Sequence, residues 1–192
     1  TAGVTIAYGH DARGRLTNIV AGGRSWQAVY DAEGIMTAFQ TPTGEALEFG
    51  ADELGLMTGA TNALGGTIGV TRDSFNRVAG LTDSLGRTTT YTYAGSDRLT
   101  GITVPELGTV SFAYNSLGLV ARITDLNGEN WTFDYSAMGR LAAWRDPLGR
   151  QTSFGHDARD RAVSIGYADG TVQTNTYDAA DNTVRRECTR GP

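Results

Sequence analysis

The sequence predicts an all-β fold: tandem antiparallel β-hairpins of about 21 residues each, forming a curled or spiralling sheet. Three observations predict it. A tyrosine or a stand-in recurs at His10, Tyr30, Ala51, Arg72, Tyr93, Tyr114, Tyr135, His156 and Tyr177, spaced by 20 residues once and by 21 thereafter. A fixed period in this range marks a repeat architecture. Four residues past each of these anchors stands Gly14, Gly34, Gly55, Asn76, Asp97, Gly118, Gly139, Asp160 or Asp181, all of them residues that reach positive φ at low cost. No window of 12 or more residues carries a helical apolar stripe without an interrupting glycine.

Each element follows from these slots. A second glycine recurs at Gly23, Gly44, Gly65, Gly86, Gly108, Gly128, Gly149 and Gly170. Two turns per unit leave two extended segments of roughly 6–8 residues, an ordinary strand length. The strand entering each anchor alternates: Trp26-Ala28-Tyr30, Leu47-Phe49-Ala51, Val110-Phe112-Tyr114 and Trp131-Phe133-Tyr135 share one face, with small or polar residues between them. The strand leaving the turn carries apolar pairs six and nine residues past the anchor, such as Leu16 and Ile19, Val120 and Ile123, and Leu141 and Trp144. A gap of three does not fit a plain strand, so a bulge or bend is expected between them. The expectation is nine hairpins with about 17 strands. At about 4.8 Å per strand such a sheet extends roughly 80 Å. Residues 1–192 are read as a single array of about nine units.

Composition narrows the function. Glycine is 26 of 192 residues, above the usual ~7%, and the turn slots absorb most of the excess. Hydrophobic residues at 40% argue against disorder. No run of 18 apolar residues exists, so no membrane-spanning segment is expected. Net charge is −5, and all 16 basic residues are arginine. Scattered arginines on an acidic background form no basic stripe, which argues against a nucleic-acid partner. Cys188 is alone and has no internal disulfide partner. The chain begins at Thr1, in mid-repeat and without Met, and is read as part of something longer, with no signal peptide in view.

The stretches His10-Asp-Ala-Arg-Gly-Arg-Leu16, Tyr30-Asp-Ala-Glu-Gly34, Tyr135-Ser-Ala-Met-Gly-Arg-Leu141 and Tyr177-Asp178 resemble the YD repeat, also called the RHS repeat. Thr82-Asp-Ser-Leu-Gly-Arg87 and Arg145-Asp-Pro-Leu-Gly-Arg-Gln-Thr152 resemble the second half of that motif. The resemblance covers essentially the whole chain. It implies a segment of a hollow β-shell or barrel, as in bacterial RHS and toxin-complex shells and teneurin-like barrels. The implied partners are an encapsulated polypeptide, such as a C-terminal toxin, or neighbouring repeats of the parent protein. The implied location is secreted or at the bacterial cell surface. Departures occur at Ala51 and Arg72 in anchor slots, at Ala94, Asn115 and Ser136 where the motif has Asp, and in the shifted turn Val104–Gly108; irregular strands are expected there. Asp is expected to cap its own turn, and the following Arg to pair with the Asp of a neighbouring unit.

The motif physics points the same way. A one-sided sheet must cover its apolar face by curling, stacking or dimerising. With about 16–18 strands, a closed barrel encloses a space. Open edges carry a risk of self-association.

No catalytic, cofactor-binding or metal residue is assigned. His10 and His156 occupy anchor slots and read as packing substitutes. Asp11, Asp31, Asp52, Asp73, Asp157 and Asp178 read as turn caps, without the converging oxygens that Ca²⁺ needs. Asp146-Pro147-Leu-Gly149 resembles the self-cleaving aspartate segment of the family, but the same pattern starts at Asp83 and favours a turn. Trp26 and Trp131 fall in an inward slot and read as core. Gly22-Gly23 and Gly65-Gly66 read as turns, since no Lys completes a phosphate loop. The leading expectation is a non-enzymatic structural segment. The alternative is a cell-surface adhesion or carbohydrate-binding β-solenoid, for which a glycan partner has no direct support. An acid-pair glycosidase ranks third, because no unit's acids depart from the repeat.

Overall fold

The computed structural model describes residues 3–95 and 97–190; Thr1, on which the reading of the chain's start rests, lies outside them. The chain divides into two compact units, Thr1–Tyr91 and Thr92–Pro192. The first unit contains β1 (Ile6–His10), β2 (Leu16–Ala21), β3 (Arg24–Tyr30), β4 (Met36–Gln40), β5 (Ala46–Ala51), β6 (Met57–Thr61), β7 (Thr67–Arg72) and β8 (Val78–Asp83). β9 (Thr88–Tyr93) crosses the division. The second contains β10 (Leu99–Val104), β11 (Gly108–Tyr114), β12 (Val120–Thr124), β13 (Asn130–Tyr135), β14 (Leu141–Arg145), β15 (Gln151–His156), β16 (Ala162–Gly166), β17 (Thr171–Tyr177) and β18 (Thr183–Arg190). The fold is all-β, and within each unit every strand pairs antiparallel with the next. The described residues thus form 18 strands where the sequence suggested about 17.

Both turn series are where the sequence puts them. All nine residues four past an anchor have positive φ, from 60° at Asp97 to 97° at Gly34, and so do all eight of the second glycines. In the first series, Gly14 N–H donates to the Asp11 carbonyl and Asp11 N–H to the Arg15 carbonyl. This is a type I turn closed by a left-handed residue, a common hairpin connection. Gly22 and Gly23 form a tighter variant: both have positive φ, and Ala21 pairs directly with Arg24.

The expected bulge is present. In β11–β12, Ala113 faces Arg122 but Tyr114 faces Val120, so Ala121 is the extra residue. The same shift precedes His10, Tyr30, Ala51 and Arg72 in the first unit, and Tyr135, His156 and Tyr177 in the second. One extra residue returns the side chain nine past the anchor to the face shared with the one six past it, which explains the gap of three.

Two expectations need correction. The strands ending at Ala51 and Arg72 are not irregular; they keep the register of their neighbours, because turn and bulge set the backbone whatever the anchor is. The expected irregular turn is seen at Val104–Gly108, where Glu106 takes φ 65°. The second correction concerns the core. Among described hydrophobic residues only Ala28, Val70 and Ala143 are buried. Trp26, Trp131 and Trp144 are half-buried, and Leu47 and Ile68 are exposed. A single sheet layer covers ring edges by strand neighbours but leaves ring faces open. The opposite face carries polar cross-strand pairs such as Thr82 with Thr88 (2.9 Å) and Thr103 with Thr109 (2.8 Å). Apolar side chains also stand exposed at turn tips: Leu54, Leu64, Phe75 and Leu85 in the first unit, Leu117, Met138 and Leu148 in the second.

Candidate functional site: the clamp between repeats

Many of the side chains with charge and hydrogen-bonding capacity gather around the turns of the hairpins. Asp157 is representative. One carboxylate oxygen accepts the backbone N–H of Arg159 (2.9 Å) and of Arg161 (3.1 Å). The other accepts Arg161 Nε (2.8 Å) and Nη2 (2.6 Å). Asp11 with Arg15 and Asp73 with Arg77 repeat the arrangement. So do Asp83 with Arg87 and Asp146 with Arg150 in the second turn series. The turn capping expected of Asp is therefore present, and the arginine pairs with the Asp of its own turn, four residues back; as expected, Arg140 and Arg161 also pair with an Asp of the neighbouring unit. The turn brings Asp157 and Arg161 together.

Hydrogen bonds to the ionised form hold these carboxyls below the ordinary Asp value. At Asp73, Asp83 and Asp157 the largest cause is the arginine side-chain bond, opposed by burial and aided by backbone N–H groups. At Asp11 the backbone N–H of Arg15 leads. At Asp146, only 6% exposed, burial is the largest influence and pushes upward, yet the Arg150 backbone and side-chain bonds outweigh it. Both Asp146 oxygens are engaged in the turn.

The arginine then reaches into the following repeat. Arg15 lies over the Tyr30 ring at 4.6 Å, Arg98 over Tyr114 at 5.7 Å and Arg161 over Tyr177 at 4.7 Å. Such contacts contribute about 0.5–1 kcal/mol at exposed sites. Arg140 and Arg161 also donate to the Asp157 and Asp178 carbonyls, each at 3.2 Å. They form ion pairs with Asp160 and Asp181, the left-handed turn residues of the next repeat. Where that residue is Gly34 or Gly118 instead, the guanidinium lies against the bare backbone, in space that a Cβ would claim.

The tyrosine completes the clamp from the other side. Its hydroxyl donates to a carbonyl of the preceding repeat, six past that repeat's anchor: Tyr30 to Leu16 (2.8 Å), Tyr114 to Leu99 (2.6 Å), Tyr135 to Val120 (2.9 Å) and Tyr177 to Ala162 (2.8 Å). Arg72 substitutes in kind, its Nη2 donating to the Met57 carbonyl at 3.4 Å. The sequence reading missed the arginine–tyrosine contact. Its signal was available: Arg15, Arg98 and Arg161 each stand about sixteen residues before a tyrosine, whereas Ile35 and Leu56 stand before Ala51 and Arg72.

The remaining candidates are dispersed. His10 is exposed in β1, and His156 is half-buried beside Arg140 and Phe154. Among the described residues no group of three or more His, Cys, Asp or Glu could hold a metal ion. Cys188 is exposed. Trp131 and Trp144 contact each other, with centroids 5.7 Å apart and planes tilted by 34°. No helix among the described residues is long and apolar enough to cross a membrane.

Hairpin, bulge and clamp define a class, a tandem β-hairpin array whose units are cemented by an Arg–Tyr contact. Residues 72–110 and 135–172 match the RHS Repeat family. The other units reproduce the same turns and bulges. No curated protein matches the chain. Among solved structures, 94% of the chain is similar to part of TcdB2-TccC3, with TM-score 0.63 at 16% identity, and covers 13% of that chain. TcdB2-TccC3 lacking its hypervariable C-terminal region is similar over the same 94%, with TM-score 0.63 at 15% identity, 13% of that chain being covered. The Photorhabdus luminescens Tc holotoxin pore is similar over 94%, with TM-score 0.58 at 17% identity and 12% of that chain covered. At these identities the likeness is one of fold.

Proposed function

We propose that this array is a non-enzymatic wall segment of a larger β-shell that encloses or presents another polypeptide, such as a C-terminal toxin. In this reading residues 1–192 are one continuous strip, and the parent protein is secreted or held at a bacterial surface. The observation that carries it is the open apolar face. Trp26, Phe39 and Phe49 line one side of the sheet in the first unit, Phe112, Trp131 and Trp144 line one side of the sheet in the second, and all stay partly exposed. Exposed apolar area of this kind calls for a covering partner. The turn tips at Leu64, Phe75, Met138 and Leu148 add apolar surface suited to neighbouring repeats of the parent chain. The likeness to Tc toxin chains, of which the array spans only about an eighth, supports the same reading.

Small-angle X-ray scattering over a concentration series tests it. A curved strip of constant dimensions is expected. A straight particle that lengthens with concentration would instead favour an adhesive solenoid built by edge-to-edge pairing.

A further inference from the structure

At Ala51 the repeat keeps the seat of a tyrosine ring but lacks the ring. Ala51 faces Met57 across the same one-residue bulge that sets Tyr30 against Met36 and Tyr135 against Leu141. Its Cβ therefore leaves the backbone as the tyrosine Cβ atoms do. In clamped units the ring rests on the side chain five past the preceding anchor, and its hydroxyl reaches the carbonyl one residue further on. For Ala51 those two positions are Ile35 and Met36. An apolar floor has replaced the guanidinium, and the carbonyl acceptor remains. Among the described residues no side chain donates to the Met36 carbonyl.

What is left is an open slot of about 270 Å³ lined by Ile35, Met36, Phe49, Ala51, Gly55 and Met57. An engineered apolar cavity on the order of 150 Å³ suffices to bind benzene. One ring fits this slot with room for a para substituent. The next anchor is not vacant in this way, because Arg72 itself reaches the Met57 carbonyl.

We propose that this slot binds a para-substituted phenol, either a free small molecule or a tyrosine side chain of another polypeptide. The ring lies on Ile35 between Phe49 and Met57, and its hydroxyl donates to the Met36 carbonyl. The clamped repeats specify both ends of this ligand, since Tyr30, Tyr114 and Tyr177 each rest on the side chain five past the preceding anchor and donate to the carbonyl one residue further on. The proposal rests on the repeat geometry and is independent of the shell reading.

The chain's three methionines supply the test. Met36 and Met57 line the slot, and Met138 stands exposed at a turn tip in the second unit. Protein labelled with ¹³C-methyl methionine is titrated with p-cresol and, separately, with toluene. Saturable shifts of the Met36 and Met57 methyl signals, without a shift at Met138, are expected. p-Cresol should bind about fivefold tighter than toluene, the effect of one neutral hydrogen bond. Ala51→Tyr should abolish the shifts and raise the melting temperature, and Ala51→Leu is a second blocking variant. A capped tripeptide with a central tyrosine separates the two sources. If it shifts the same methyls, the ligand is a tyrosine side chain; if only p-cresol does, it is a free phenol. No saturable shift in the unaltered protein, equal shifts at all three methionines, or unchanged binding in both variants would overturn the proposal.

Discussion

The stretch from Asp157 to Tyr177 and the stretch from Asp31 to Ala51 occupy the same slots of the repeat with opposite chemistry. The first has its full clamp: Arg161 grips its own Asp157, stacks on Tyr177 and pairs with Asp181. The second has Ile35 and Ala51 in the corresponding places, with neither charge nor ring. Yet the two backbones share the left-handed turn residue, the bulge and the register. Turn and bulge therefore specify the hairpin, while the clamp fastens one hairpin to the next. Stability in such arrays is a sum of unit and interface contributions, so a bare interface can be carried by its neighbours.

Acid should expose the difference most strongly. The carboxyls of Asp11, Asp73, Asp83, Asp146, Asp157 and Asp178 lie below their ordinary value in the folded chain. A lowered folded pKa gives stability that is present above the unfolded value, near 3.8, and is lost as pH falls through the folded one. Urea midpoints measured from pH 6 to pH 2 should therefore fall steeply below about pH 4. Asp157→Asn should lower the midpoint at pH 6 and shallow the acid decline.

Truncation of the face is next in size. Trp144→Ala removes the partner of Trp131 and should cost about 2–3 kcal/mol in urea unfolding, toward the low end for a ring that is only half-buried. In the unclamped region backbone proximity matters more than rings. A Cβ on Gly59 would stand 2.6 Å from the Ile68 carbonyl oxygen, so Gly59→Ala should cost about 1–3 kcal/mol. Tyr135→Phe deletes only the hydrogen bond to Val120 and should cost about 1 kcal/mol.

The smallest effect sharpens the comparison most. Ile35→Arg with Ala51→Tyr transplants a clamp into the bare interface. The two changes together should exceed the sum of the single changes by about 0.5–1 kcal/mol in a double-mutant cycle. Additivity would mean that Arg and Tyr stabilise their units separately and do not fasten them together.

Much of this was legible in the chain. Turn residues such as Gly14, Asn76 and Asp160 announce themselves because positive φ restricts residue choice, and the bulge follows from the offset of Val120 and Ile123. The clamp was harder to read. Asp157 and Arg161 look available to any neighbour until the turn folds them onto each other, and the Tyr177 hydroxyl finds a backbone carbonyl, which leaves no trace in residue identity. The exposure of Trp131 and Leu47 was not legible either, because alternation shows which face is apolar but not what lies over it.

The clamp also limits how such a chain can grow by gene duplication. Its parts are shared across a unit boundary: Arg161 belongs with Tyr177 and Asp181, just as Arg140 belongs with Asp157 and Asp160. A crossover between an arginine and the next anchor would separate partners selected together. One between Asp160 and Arg161 would keep each left-handed residue with the arginine before it and each arginine with the tyrosine after it, parting the arginine only from the Asp of its own turn. The heritable module is then cut at the end of the first turn, just before the arginine, and not at the tyrosine from which the motif is conventionally read.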